Sequence, residues 1–192
     1  MWVFSWVDYT KKYGFAFRLS GGSTGVHFND KTKIVVNSTD PSSFHYIDRK
    51  STMNGKVEVL LKHLFTNTPP EIEKKVTLLN HFKGFFSEKK IVKSRLGSDG
   101  DPQLESEPVY IKKLTKTSHA LIMRLNIGNT QACFKDGTEI LYQEKNKRVT
   151  YIDKESVVSN LALNDVLSLS KESELRKRFD YLIDVINRSE DT

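Results

Sequence analysis

The chain is 192 residues long, 38% hydrophobic and 28% charged, with a net charge of +6 and an isoelectric point near 9.2. That balance belongs to a folded domain rather than a disordered tail, and no apolar run reaches the ~18 residues of a membrane span. A single cysteine, Cys133, excludes an internal disulfide and reads as a buried structural thiol in a reducing compartment.

Met1 is followed by Trp2-Val3-Phe4-Ser5-Trp6, with no basic start and no cleavage site, so no secretory signal is expected. Trp2 reads as a packing residue. Residues 15–19, 25–28 and 33–37 are short β-rich runs divided by Gly21-Gly22 and Asn29-Asp30. They predict a meander of hairpins that residues 44–47 and 57–61 continue. At Thr68-Pro69-Pro70-Glu71 the period changes. Thr68 is placed to cap a helix, Pro69 to open it and Glu71 to close a capping box. Ile72, Val76, Leu79, Phe82 and Phe86 then recur at helical spacing, which predicts a helix to about Lys89. Gly84 inside it suggests a close approach on that side.

Residues 94–108 are rich in Ser, Gly, Asp, Glu and Pro and read as a linker. Strands are predicted again at 110–114, 120–125, 130–134, 139–142, 149–152 and 157–162, with Asp136-Gly137 as a tight-turn signal. Ser170 is expected to cap a last helix whose apolar stripe is Leu175, Phe179, Leu182 and Ile186. Strands followed by a helix, twice, give an α+β layout with antiparallel sheets.

The second half repeats the first. Phe17-Arg18-Leu19, Gly22, Thr24, Phe28, Asp30, Thr32, Ile34 and Tyr46-Ile47-Asp48 return as Met123-Arg124-Leu125, Gly128, Thr130, Phe134, Asp136, Thr138, Ile140 and Tyr151-Ile152-Asp153. A repeat this long is a duplicated small domain rather than a solenoid unit. It sets expected boundaries at 1–93 for the first copy with its N-terminal lead, 94–108 for the linker and 109–192 for the second copy. The seam between the copies is where a ligand is expected.

Catalytic chemistry is not legible. No Gly-x-Gly-x-x-Gly, P-loop or kinase signature is present. The five histidines (His27, His45, His63, His81 and His119) lack metal-ligand spacing, and His27 with His45 reads as a structural cross-strand pair. No catalytic or metal residues are expected, and a binding module is the default. Lysines gather at 74–75, 83, 89–90 and 93, beside Arg95, and again at 112–113 and 116. They suit an acidic partner or are simply solvated. Nucleic acid is disfavoured because no aromatics are interleaved with them.

Trp6-Val7-Asp8-Tyr9-Thr10-Lys11-Lys12-Tyr13-Gly14, Gly25-Val26-His27-Phe28-Asn29-Asp30, Tyr46-Ile47-Asp48, Lys75-Val76-Thr77-Leu78-Leu79 with Phe82, and Val149-Thr150-Tyr151-Ile152-Asp153 resemble the polo-box domain of polo-like kinases. The resemblance covers almost the whole chain. It implies two polo boxes, each a six-stranded antiparallel sheet plus a helix, packed as a pseudo-symmetric pair. It also implies a groove between them for Ser-phosphoSer/Thr peptides.

Carried over by resemblance, Trp6 would flank the serine before the phosphorylated residue, and Val7 and Asp8 would offer backbone pairing. Lys90, Ile91, Lys116, Phe134 and Lys135 would complete the groove. Tyr9, Tyr13, His81, Phe82 and Phe85 match a secondary aromatic pocket, with His81 replacing a tyrosine. The family's phosphate-gripping His-x-Lys pair is replaced by Gly137 and Glu139. Two functions follow as expectations: phosphopeptide binding through altered contacts, or phosphate-independent binding or self-association. Lys31-Thr32-Lys33, at the equivalent first-copy hairpin, is a candidate relocated anion site.

The resemblance further implies a non-catalytic part of an ATP-dependent serine/threonine kinase. ATP and Mg would then belong to a separate kinase domain, and no cofactor is expected here. Implied partners are phosphorylated or unphosphorylated segments of scaffold and cell-cycle proteins, and the protein's own kinase domain, with no membrane. The implied location is cytoplasmic and nuclear, at the centrosome, basal body or spindle.

Overall fold

In the computed structural model, which describes residues 1–52, 55–86, 92–96 and 107–190, the chain divides into two units, residues 3–110 and 111–192. In the first, β1 (Val3–Tyr9), β2 (Gly14–Leu19), β3 (Thr24–Phe28), β4 (Lys33–Asn37), β5 (Asp40–Thr52) and β6 (Gly55–Leu64) form an antiparallel meander in chain order. A two-residue strand, β7 (Val92–Lys93), adds beside β1, with Trp6 opposite Val92 and Ser5 opposite Lys93. Ser94 N–H donates to Phe4 O at 2.8 Å, so the chain stays on this sheet to Ser94, where the linker was expected to start. At the far end of that stretch, the Tyr110 hydroxyl donates to Glu58 on β6 at 2.8 Å.

The expected strands in this unit all form. β1 is an addition: its aromatic and β-branched run has the composition of a strand, but the predicted meander opened only at Phe15. β5 and β6 also run well past their predicted ends, as one long hairpin paired from Ser43–Leu64 to Thr52–Gly55. Tight pairing needs glycine at two places. A Cβ on Gly14 would meet His27 O at 2.4 Å, and one on Gly25 would meet Ile34 O at 2.8 Å.

The helix α1 (Glu73–Phe85) starts later than predicted. The Thr68 hydroxyl turns back to donate to Phe65 O at 3.2 Å, so it caps nothing ahead of it. A 3-10 turn over Pro70–Ile72, with no side-chain cap, leads into the helix instead. Proline's fixed φ suits such an entry. The predicted end near Lys89 lies outside the described residues. Val76, Leu79 and Phe82 of α1 pack with Ile72 on Ala16, Val26, Phe28, Ile34, Val36 and Phe44. Each large side chain so buried contributes about 1.5–3 kcal/mol. The opposite face is buried too, through Trp6, Phe15, Phe17, Leu19 and Ile47, which is why β2 and β4 read as continuous apolar runs rather than alternating ones. His27 and His45 do not meet. His27 lies opposite Phe15 and Lys33, His45 opposite Val35 and Lys62, and β4 separates them.

The second unit repeats the plan with β8 (Ile111–Lys116), β9 (Ala120–Leu125), β10 (Asn129–Phe134), β11 (Glu139–Gln143), β12 (Arg148–Ile152) and β13 (Val158–Ala162), again in chain order. A short helix α2 (Leu163–Ser168), not legible in the sequence, precedes α3 (Glu174–Glu190). Ser170 caps the turn before α3 rather than the helix: its Oγ accepts Glu172 N–H at 3.2 Å. Ser173 O accepts the Lys177 N–H at 3.0 Å and begins the helix. Leu175, Phe179 and Leu182 of α3 pack on Ala120, Ile122, Ala132, Phe134, Ile140 and Val149.

Candidate functional site

Trp6 sits mid-strand on β1, 6% exposed, with its indole stacked on Phe15 at a centroid distance of 6.5 Å. It is packed as a core residue and shows no open ring face. Val7 points the other way, against the α1-side core. Asp8 is exposed, and its Oδ1 accepts Thr10 N–H at 3.1 Å and Thr10 O–H at 2.7 Å, holding the turn that leads to β2. Lys90 and Ile91 lie outside the described residues.

Four of the five residues of the aromatic set are brought together. Tyr9 meets Phe82 edge-on at 5.7 Å and stacks on Phe85 at 6.2 Å, and His81 abuts Phe85 at 4.9 Å. Phe82 is core, 1% exposed, whereas Tyr9 and Tyr13 are 40% and 45% exposed. Tyr13 has no ring contact with the cluster among the described residues.

The hairpin from Phe134 to Glu139 closes on an Asx turn. Asp136 Oδ1 accepts Thr138 N–H at 3.2 Å and Thr138 O–H at 2.8 Å. Gly137 takes φ +90° at its tip, a left-handed conformation that glycine adopts without strain. Phe134 is buried in the α3-side core rather than lining an open surface. Glu139 is 5% exposed beside the amide of Gln131, so it is an interior carboxylate and not a surface charge. Lys135 and Lys116 are exposed. Gly137 and Glu139 therefore supply no cation for a phosphate. Two neighbouring cations are engaged on carboxylates: Arg178 on Asp136 and Glu174, Lys154 on the same two.

The first copy builds the same hairpin. Asp30 Oδ1 accepts Thr32 N–H at 3.1 Å and Thr32 O–H at 2.7 Å, and Lys31 takes φ 72° where Gly137 stands in the second. Lys33 is no anion site. It is 2% exposed, its Nζ lies 2.5 Å from Glu58 Oε1, and it sits over the Tyr110 ring at 5.4 Å.

A paired device escaped the sequence reading. Lys75 of α1 binds Asp30 at 2.6 Å and lies over Phe28 at 5.3 Å. Arg178 of α3 binds Asp136 and lies over Phe134 at 4.8 Å. In each copy a helix cation clamps the turn aspartate across the aromatic that precedes it. The Phe-x-Asp-x-Thr repeat was the available signal, but its helix partner is type-swapped between Lys and Arg. Among the described residues no His/Cys/Asp/Glu group could hold a metal, and no helix is long and apolar enough to cross a membrane.

A family model described as the POLO box duplicated region matches residues 11–76 and 117–179, one match within each unit. The chain belongs to this family. It is a polo-box domain of the polo-like kinase type, and each sheet-plus-helix unit is one polo box. It is 41% identical over 154 residues to a probable serine/threonine-protein kinase, CCRP1, of Zea mays, covering 79% of this chain and 24% of that one. It is 30% identical over 184 residues to the serine/threonine-protein kinase PLK1 of Xenopus laevis, covering 94% of this chain and 29% of that one. The chain thus spans less than a third of these curated relatives. The crystal structure of the budding yeast Cdc5 polo-box domain in complex with Spc72 phosphopeptide matches with a TM-score of 0.71 at 23% identity, covering 94% of this chain and 68% of that one. The same yeast domain in complex with the Dbf4 polo-interacting region matches with a TM-score of 0.72 at 23% identity, covering 97% and 71%. At that identity the likeness carries the fold.

Proposed function

We propose that this polo-box domain is the targeting module of a polo-type serine/threonine kinase. It binds extended segments of scaffold and cell-cycle proteins and so raises the local concentration of the catalytic domain near its substrates. Binding by this module does not require phosphate. The observation that carries this reading is the pair Gly137 and Glu139: a turn glycine and a buried carboxylate stand where the family holds phosphate with a histidine and a lysine. A charge-assisted hydrogen bond is worth roughly 1.5–3 kcal/mol, so its loss removes a ten- to hundredfold preference. The partners bound in the yeast structures, an Spc72 phosphopeptide in one and the Dbf4 polo-interacting region in the other, support peptide binding as the class of activity.

Calorimetric titration of matched Ser-Thr and Ser-phosphoThr peptides from one scaffold segment tests this. Affinities within about threefold of each other are expected from the missing grip. A preference of tenfold or more for the phosphorylated peptide would overturn phosphate-independent binding and leave the targeting role standing.

A further inference from the structure

Three chain reversals of the first box lie at one end of its sheet. Each antiparallel connection turns the chain back, so residues 10–13 between β1 and β2, residues 29–32 between β3 and β4, and the β5–β6 hairpin all close at that end. The registers show that they are level. Phe15, His27, Lys33 and Ile47 stand in one row across β2, β3, β4 and β5. Two or three residues past that row come Lys12, Lys31 and Arg49. The first two turns are also joined directly: Asn29 N–H donates to Tyr13 O at 3.0 Å, and Asn29 Nδ2 donates to Thr10 O at 2.9 Å.

Cations collect at this end. Lys11, Lys12, Lys31, Arg49 and Lys50 are exposed, and among the described residues none of the five has a carboxylate partner. The acids nearby are engaged. Asp30 is held by Lys75 and Glu58 by Lys33, while Asp8 and Asp48 accept the N–H groups of Thr10 and Arg49. The turns at the other end of the sheet, residues 20–23 and 38–39, carry no lysine or arginine. Nor does the second box repeat the row. Lys135 N–H donates to His119 O as Asn29 N–H does to Tyr13 O, which matches the turns of the two copies. Thr117-Ser118-His119 then stands where the first copy has Thr10-Lys11-Lys12-Tyr13, and Gly137 where it has Lys31. The row is therefore a feature of the first copy and not a demand of the fold.

We propose that this row is a second docking surface, for an acidic segment of a partner protein in polyproline-like extended form. Neighbouring strands lie ~4.8 Å apart, so the three reversals follow one another at about 10 Å. A polyproline II chain turns once every three residues and rises ~3.1 Å per residue. Its residues i, i+3 and i+6 thus face one way at intervals of about 9 Å, in step with the reversals. Carboxylates at those positions meet Lys11 and Lys12, then Lys31, then Arg49 and Lys50. Charge complementarity selects an acidic occupant and works against a second copy of this basic chain. The end of one sheet is a line, which fits a single extended chain better than the plane of a bilayer. The five cations also fall short of the ~6–10 phosphate contacts of a strongly held nucleic acid.

The test uses the ¹⁵N-labelled chain and the capped heptapeptide Glu-Pro-Ser-Glu-Pro-Ser-Glu at low ionic strength. Amide shifts confined to residues 10–13, 29–32 and 48–50 are expected, and they should fade as salt is raised. Replacing the three glutamates with glutamine should weaken binding at least tenfold. Lys12→Glu with Arg49→Glu, both at exposed positions, should do the same. Lys145→Glu with Lys171→Glu, an equal change of charge on the second box, should leave it intact. All four variants should bind the Ser-Thr peptides of the preceding section as wild type does, which separates this surface from that activity. No shifts at millimolar peptide would overturn the proposal. So would equal binding of the glutamine peptide, or equal losses from the two charge-reversed pairs, which would reduce the effect to net charge. Attachment to phosphatidylserine vesicles through the same lysines, or an oligonucleotide that shifts these amides more strongly than the peptide, would likewise overturn it.

Discussion

At the scale of single residues, two interior groups make the first box sensitive to charge. His27 is 8% exposed, and burial, then the nearby Lys33 and Lys31, lower its pKa from 6.5 to about 4. The folded protein therefore keeps it neutral while the unfolded chain protonates it, so stability falls as pH drops from about 6.5 to 4 and is retained above that window. The shift corresponds to roughly 3 kcal/mol. Urea denaturation of wild type and His27→Gln across that range should show a steeper acid loss in wild type; parallel curves would refute the assignment. Lys33 is the second group. Glu58→Ala removes its carboxylate and strands a buried ammonium, at a cost of about 3–5 kcal/mol. The pair of changes Lys33→Met with Glu58→Leu should recover most of that loss, because an apolar pair needs no compensation. Equal instability of the single and double variants would show that the Tyr110 contact, not the charge, is what matters.

Individual elements show what patterning can and cannot tell. The strands and the apolar stripes of α1 and α3 were readable because side-chain period is a direct consequence of backbone geometry. The helix start was not. Thr68 has the right identity for a cap, but whether its hydroxyl points forward or back depends on the 3-10 turn imposed by Pro69-Pro70. α2 was missed because six residues carry too little periodicity. Trp6 was expected to flank a peptide; on β1 it lies opposite Phe17, stacks on Phe15 and is 6% exposed. Gly84 is the clearest reversal. It suggested a close approach, yet among the described residues nothing lies within 4 Å of where its Cβ would stand. Gly84→Ala should therefore stabilise the domain by about 0.5–1 kcal/mol, through helix propensity and a less free unfolded chain. A lower denaturation midpoint in that variant would mean the α1 end is not helical in solution.

On the scale of the whole molecule, duplication explains both what is shared and what is lost. The Asx-turn hairpins and their helix clamps recur in both boxes and tie each helix to its sheet, whereas the residue at the hairpin tip differs, Lys31 in one and Gly137 in the other. This is why the sequence pointed to the fold directly and to the candidate site only through residues such as Gly137 and Glu139. Cys133 offers a measure of how tightly the second sheet holds together. Burial and the nearby Glu139 push its thiol well above the ordinary range, and the thiolate is the reactive form. Cys133 is only partly buried, so alkylation in native buffer should be slow for want of thiolate and should speed up as β10 and β11 open. Its rate should rise with urea along the same curve as global unfolding. Rapid labelling in native buffer would instead place Cys133 in a locally opening segment and count against a cooperatively closed second box.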